Sequence, residues 1–287
     1  MYAIFKREIK AYFVTPIGWI YMGLFLLITG FFFTVWHLLS GSSDFSRFLG
    51  SMLFIYLLAI PILTMRLFSE EKKQRTDQLL LTSPISIQAI VFGKFLAALA
   101  LYSATVIITF FYSFIIAAYG DMRWGETIGS YIGFIFLGAS YISIGVFISV
   151  VTENQVIAAI VTFFCLLFVL FMEPIAQIVP ADLKAGVISA SVLAVLVLLF
   201  IFLNTRNWVI TLAAFALCAA AIVIFFFAKD DVFLGFIRKF LGWFSLNGRY
   251  QDFVKGILKI DTLVYYCSFC ALFMFMTVRV IEKRRWN

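Results

Sequence analysis

From Ile17 to Leu39 the chain carries no Asp, Glu, Lys or Arg. About 20 helical residues cross the apolar core of a bilayer, so this run is long enough to span one. Seven further runs of this kind succeed it: Phe48–Met65, Phe95–Ala118, Thr127–Val151, Gln155–Met172, Ala185–Leu203, Trp208–Ala228 and Thr262–Val278. The runs are continuous rather than alternating, which selects helices over a closed β-barrel, whose strands alternate over roughly ten residues. Composition agrees. Of 287 residues 64% are hydrophobic and 13% charged, and the mean hydropathy is +1.06. A soluble domain is about half apolar and a quarter charged, and surface-to-volume scaling leaves no room to bury this excess in water. The expected fold is an all-α polytopic helical bundle forming one transmembrane domain over 1–287.

Residues 185–228 pose a choice. As one helix they would be about twice the hydrocarbon thickness and would place Arg206 in lipid at a cost of about 2.5–3.5 kcal/mol. Asn204-Thr205-Arg206-Asn207 is turn chemistry, so an inserted helical hairpin is the better reading. The expectation is about eight spans, a six-helix core plus this hairpin; six spans with a re-entrant hairpin are the alternative.

Lys and Arg counts orient the chain. Lys6, Arg7 and Lys10 precede the first span. Arg66, Lys72, Lys73, Arg75 and Lys94 lie between the second and third, and Arg279, Lys283, Arg284 and Arg285 close the chain. With an even number of spans all three groups share one side, which makes both termini cytoplasmic. Residues 229–261 then lie outside. They hold Lys229, Arg238, Lys239, Arg249, Lys255 and Lys259 among aspartates and interleaved aromatics, a pattern read as amphipathic interfacial helices.

Residues 1–15 read as a short amphipathic helix in the membrane interface, not as a signal peptide. Tyr2, Phe5, Ile9 and Tyr12 share one face, opposite Lys6, Arg7 and Lys10.

The chemistry-bearing motifs are few. Gly93-Lys94 lacks the preceding glycine of a phosphate-binding loop, so no nucleotide hydrolysis is expected of this chain. No ionisable residue sits at a span centre to serve as a proton or ion relay, and Glu153 and Glu173 flank span ends. The lone histidine, His37, cannot build a metal cluster or triad. Cys267-x-x-Cys270 lies in an apolar run and reads as two small side chains on one helix face. Gly129-x-x-x-Gly133 and Gly145-x-x-x-Ser149 allow close helix approach, within the chain in preference to a dimer seam. If the protein moves anything, a partner supplies the energy.

That partner's docking place is sought at 66–94. Glu70–Arg75 extend out of the membrane. Thr76 can cap a helix whose first turn holds Asp77, then Leu79, Leu80 and Leu81 form an apolar block. Ser83 is an N-cap candidate, with Pro84 opening the next helix. On these residues alone, leucines dipping into lipid and a protein-docking elbow remain equally open.

The run Glu70-Glu71-Lys72-Lys73-Gln74-Arg75-Thr76-Asp77-Gln78-Leu79-Leu80-Leu81-Thr82-Ser83-Pro84 resembles the signature of ABC-2-type transporter permeases. That signature is acidic-acidic-basic, then Gly-Thr, a Glu, a leucine pair and a Thr/Ser-Pro step. Arg75 stands where the family has Gly, and Gln78 where it has Glu. The resemblance implies that Glu70, Glu71, Arg75, Thr76, Gln78, Leu79, Leu80, Ser83 and Pro84 belong to a coupling loop that docks on an ATPase subunit. Phe5-Lys6-Arg7-Glu8-Ile9-Lys10-Ala11-Tyr12-Phe13 is similar to the family's elbow helix, pointing to Phe5, Arg7, Glu8 and Tyr12. Residues 253–258, 261–266 and 282–286 are similar to the gliding-motility-type branch. The resemblance implies a non-catalytic subunit in a bacterial inner membrane. It would pair with a second, identical or different, permease chain and with an ATPase that binds ATP and Mg²⁺. A membrane-anchored auxiliary protein is a further expected partner; nucleic acid is not. The alternative is a membrane scaffold that transmits force without moving solute.

Overall fold

The computed structural model describes residues 1–41, 45–76, 85–120, 122–178, 191, 195, 198 and 235–286. Every regular element among them is helical. Six helices are long and apolar enough to cross a membrane: Pro16–Leu39, Leu53–Lys73, Ile87–Tyr119, Trp124–Val151, Gln155–Ile178 and Ile260–Arg284. Of the expected hairpin at 185–228, only Ser191, Val195 and Leu198 are among the described residues.

The chain forms two compact units, Met1–Leu170 with Leu246–Asn287, and Phe171–Ser245. In the first, helix α1 (Tyr2–Val14) turns into α2 (Pro16–Phe33), which ends in the π-helical turn Thr34–Leu39. Pro16 opens α2, where its missing N–H costs nothing. Gly18 lets the turn close, because a side-chain carbon there would overlap the Tyr12 carbonyl.

After α3 (Phe45–Ser51), the second span is assembled from a 3₁₀ turn (Leu53–Ile55), α4 (Tyr56–Thr64) and α5 (Ser69–Lys73). Two helices, α6 (Ile87–Thr109) and α7 (Phe111–Tyr119), make the third. Its helix begins at Ile87, with the Ser86 hydroxyl accepting from the Ala89 N–H at 3.3 Å, and not at Pro84. Helix α8 (Trp124–Val151) is followed by α9 (Gln155–Ile178), which runs beyond the expected Met172. Glu173 therefore lies within a helix rather than past its end. In the second unit, Arg238 of α10 (Phe236–Phe244) donates to the carbonyls of Ala176 and Gln177 at 3.2 and 2.9 Å.

Helix α8 is the central post, packing against α4, α6, α11 (Leu246–Val254) and α12 (Ile260–Trp286). Its small residues make this possible. Gly138 receives the Tyr102 ring, Gly145 receives Thr64, and Gly133 receives Phe253. These stripes serve packing within the chain, where close backbone approach replaces the hydrophobic driving force that lipid removes.

The surrounding core is rich in tyrosine. Tyr56, Tyr102, Tyr141, Tyr250 and Tyr266 are fully buried, and a hydroxyl in a bilayer interior needs a partner. Tyr56 and Tyr102 both donate to the Phe134 carbonyl, at 2.9 and 2.8 Å. Tyr141 donates to Asn247 Oδ1 at 2.7 Å, Tyr250 to the Ser130 carbonyl at 3.2 Å and Tyr266 to the Leu246 carbonyl at 2.9 Å.

These bonds place α11 inside the bundle, which corrects the interfacial reading of this part of 229–261. Leu246, Tyr250 and Phe253 are the apolar face, and it meets α8 instead of lipid. Asn247 reaches Tyr141, about 15 Å along α8 from Val151 at 1.5 Å per residue, while Gly256 lies beside Gly129. Helix α11 thus runs from mid-depth back to the Trp124 end.

Candidate functional site

One end of the bundle gathers α1, α5, the start of α6 and the ends of α8 and α12. Its centre is Lys94. Counted with the loop region 66–94, and beyond the Pro84 at which the next helix is expected to open, this residue lies inside α6 and is 1% exposed. An isolated buried ammonium is costly, and its burial here is made possible by partners. Its Nζ lies 3.1 Å from Glu8 Oε1 and 2.9 Å from Glu71 Oε1. It also donates to the Leu67 carbonyl at 2.6 Å and sits 5.0 Å from the centre of the Phe68 ring. Arg7 caps the pair from outside, bonding Glu8 and Glu71 at 2.8 Å each. Three elements separated in sequence, α1, α5 and α6, are joined through one charge cluster.

The charges act on Glu8 in opposing directions. Burial raises its carboxyl pKa, but Lys94 and the hydrogen bonds from Arg7 and Lys94 outweigh burial and hold it below the ordinary carboxylate value.

Neighbouring contacts extend the junction. Arg66 donates to Thr15 Oγ1 at 2.8 Å and pairs with Glu70 at 3.1 Å, tying the α1–α2 turn to α5. Tyr12 is buried and donates to the Leu63 carbonyl at 2.8 Å, while Ile4 packs where Gly93 leaves space on α6. Phe5 packs at the edge of the same core. Ser149 of α8 accepts from the Phe68 and Ser69 N–H groups at 3.0 and 3.3 Å, and Lys72 bonds the Val150 carbonyl. Arg284 reaches the Val151 carbonyl at 3.4 Å.

Beyond α5 the chain turns sharply. Arg75 has φ +55°, a left-handed conformation uncommon for a residue with a side chain. The Thr76 N–H bonds the Glu71 carbonyl at 2.9 Å and closes the turn. Glycine suits this conformation, which gives a physical reason for the glycine of the resembled signature. Of the expected loop residues, Glu70, Glu71, Arg75 and Thr76 stand here with Arg7, Glu8 and Tyr12. Gln78, Leu79, Leu80, Ser83 and Pro84 lie outside the described residues.

Lys94 and Arg66 are the members that sequence reasoning leaves out of the site. The available signal is a lysine inside a largely apolar helix, with two carboxylates in the flanking motifs to receive it.

Six apolar helices among the described residues, one of them a central post with small residues at its contacts, define a multi-pass helical membrane protein. Residues 40–232 match the family described as ABC-2 family transporter protein, and the chain belongs to that family. It is a membrane permease component of an ABC transporter. The match begins after α1, so the part played by α1 rests on its contacts with Glu71, Lys94 and Leu63. No curated protein matches the chain.

Proposed function

We propose that this chain is the transmembrane subunit that couples ATP hydrolysis, carried out by a separate ATPase subunit binding ATP and Mg²⁺, to export or mechanical work. The observation that carries the reading is the Glu8–Lys94–Glu71 cluster. It makes α1, α5 and the first turns of α6 one mechanical piece on both sides of residues 77–84, which belong to the run 70–84 that resembles the family's coupling-loop signature. A push on Leu79 and Leu80 has a stiff path into the second and third spans. Through Ser149 and Lys72 it also reaches α8.

The basic residues of this end support a cytoplasmic placement, and a bacterial inner membrane goes with the same reading. The likeness of 253–258 and 261–266 supports the gliding-motility-type branch, with a second permease chain and a membrane-anchored auxiliary protein as partners.

Co-expression with the cognate ATPase tests the coupling. The two chains should co-purify. Replacing Leu79 and Leu80 together by Asp should abolish permease-stimulated ATP hydrolysis while leaving the unfolding midpoint of the permease unchanged. Undiminished stimulation in the double variant would overturn the assignment of 77–84.

A further inference from the structure

Among the described spans none carries a charge at its centre, but α11 brings one to membrane depth by another route. Cys270 Sγ of α12 lies 3.8 Å from Ser140 Oγ of α8, and the two helices run in the same direction. Tyr265 is therefore level with about residue 135 of α8, about 16 Å in from Trp124 at 1.5 Å per residue. Arg249 lies against it, its guanidinium carbon 3.8 Å from the ring centre. With a hydrocarbon core about 30 Å thick, this level falls in the Trp124-side half of the apolar layer, about 7 Å from the start of α12 at Ile260.

Helix electrostatics do not favour a cation here, since in the first turns of α11 it adds to the positive end of the dipole. Among the described residues no carboxylate pairs with it. Asp252, one turn along, is bonded instead to Lys259 at 2.9 Å. Arg249 hydrogen-bonds the Tyr265 side chain, but its Nε is buried without a hydrogen-bond partner, and the residue as a whole stays partly open. An arginine at this depth with no acidic partner among these residues, its guanidinium held against an aromatic ring, has further N–H groups to offer an anion.

We propose that Arg249, braced by Tyr265, is an intramembrane recognition point for a phosphate group, offered either by a lipid headgroup drawn into the Trp124-side half of the bilayer or by a soluble phosphate. Such a site would operate whether or not residues 77–84 dock on an ATPase. The unfolding midpoint of the purified chain would be measured in nanodiscs of phosphatidylcholine alone, with added phosphatidylglycerol, and in phosphatidylcholine with inorganic phosphate titrated in. A rise of several degrees in the wild type with phosphatidylglycerol identifies a lipid headgroup. A rise with inorganic phosphate alone identifies a soluble anion. In either case Arg249→Gln should lose the increment and Arg249→Lys, which keeps the charge but not the fork, should retain only part of it. Should Arg249→Gln fail to fold, Tyr265→Leu serves instead and should also shrink the increment. A wild type indifferent to both additions, or an increment that survives Arg249→Gln, overturns the proposal.

Discussion

Lys94 and Glu71 stand on opposite sides of the loop between the second and third spans, and their charged atoms meet at 2.9 Å. The pair closes the base of the loop, and Glu8 locks α1 to the same point at 3.1 Å. Removing the cation should therefore harm more than one element. Lys94→Met leaves two largely buried carboxylates facing each other, and breaking a buried pair by deleting one partner costs about 3–5 kcal/mol. Glu8 and Glu71 keep a little solvent exposure, so a loss near the lower figure is expected, read as a fall in the unfolding midpoint. Adding Glu71→Gln should recover part of it, because the repulsion left behind is then relieved.

The depressed pKa of Glu8 gives this junction a pH dependence of definite sign. A carboxyl whose folded pKa lies below its unfolded value, about 4.3 for glutamate, contributes stability that is fully present above the unfolded value. That contribution is lost as the pH falls through the folded one. Docking of α1 should thus be constant from neutral pH down to about 4.5 and weaken below it. Protease sensitivity of the first fifteen residues, measured across this range, should show the transition in the wild type. Glu8→Gln should be more sensitive at neutral pH and nearly flat.

Arg75 tests whether the turn after α5 is strained. A left-handed non-glycine residue costs about 1–2 kcal/mol, whereas glycine loses roughly 0.5–1 kcal/mol through its freer unfolded chain. Arg75→Gly should come out stabilising by about 0.5–1 kcal/mol as the difference of these terms. Arg75→Ala, which keeps the strained carbon, should not stabilise. An unfolding midpoint that rises for glycine and not for alanine is the expected pattern.

These residues also show what could be read from the sequence. The six apolar runs among the described residues were legible because crossing a bilayer is a local requirement, met within one helix. The loop motif was legible as a linear pattern. Lys94 was not, since its burial depends on Glu8 and Glu71, neither of which is near it in the chain. The packing of α11 was hidden for another reason. Leu246, Tyr250 and Phe253 make the same amphipathic face whether they meet lipid or α8, and only Asn247, a polar residue on the buried side, hinted at a protein partner. Arg75 was seen as a departure, but its meaning needed the backbone angle.

Asn247 and Tyr141 offer the most direct test that α11 is inserted. A polar pair at an interface with lipid can exchange its bond for water and contributes almost nothing. The same pair at mid-depth has no such replacement, and interhelical hydrogen bonds in membranes average about 0.6 kcal/mol with a maximum near 1.7. Tyr141→Phe and Asn247→Leu, measured singly and together, should give a coupling energy in the upper part of that range. Asn247→Leu alone should be the more damaging single change, since it strands the Tyr141 hydroxyl, whereas Tyr141→Phe leaves an amide that can turn toward neighbouring backbone. Additive losses would return α11 to the membrane surface.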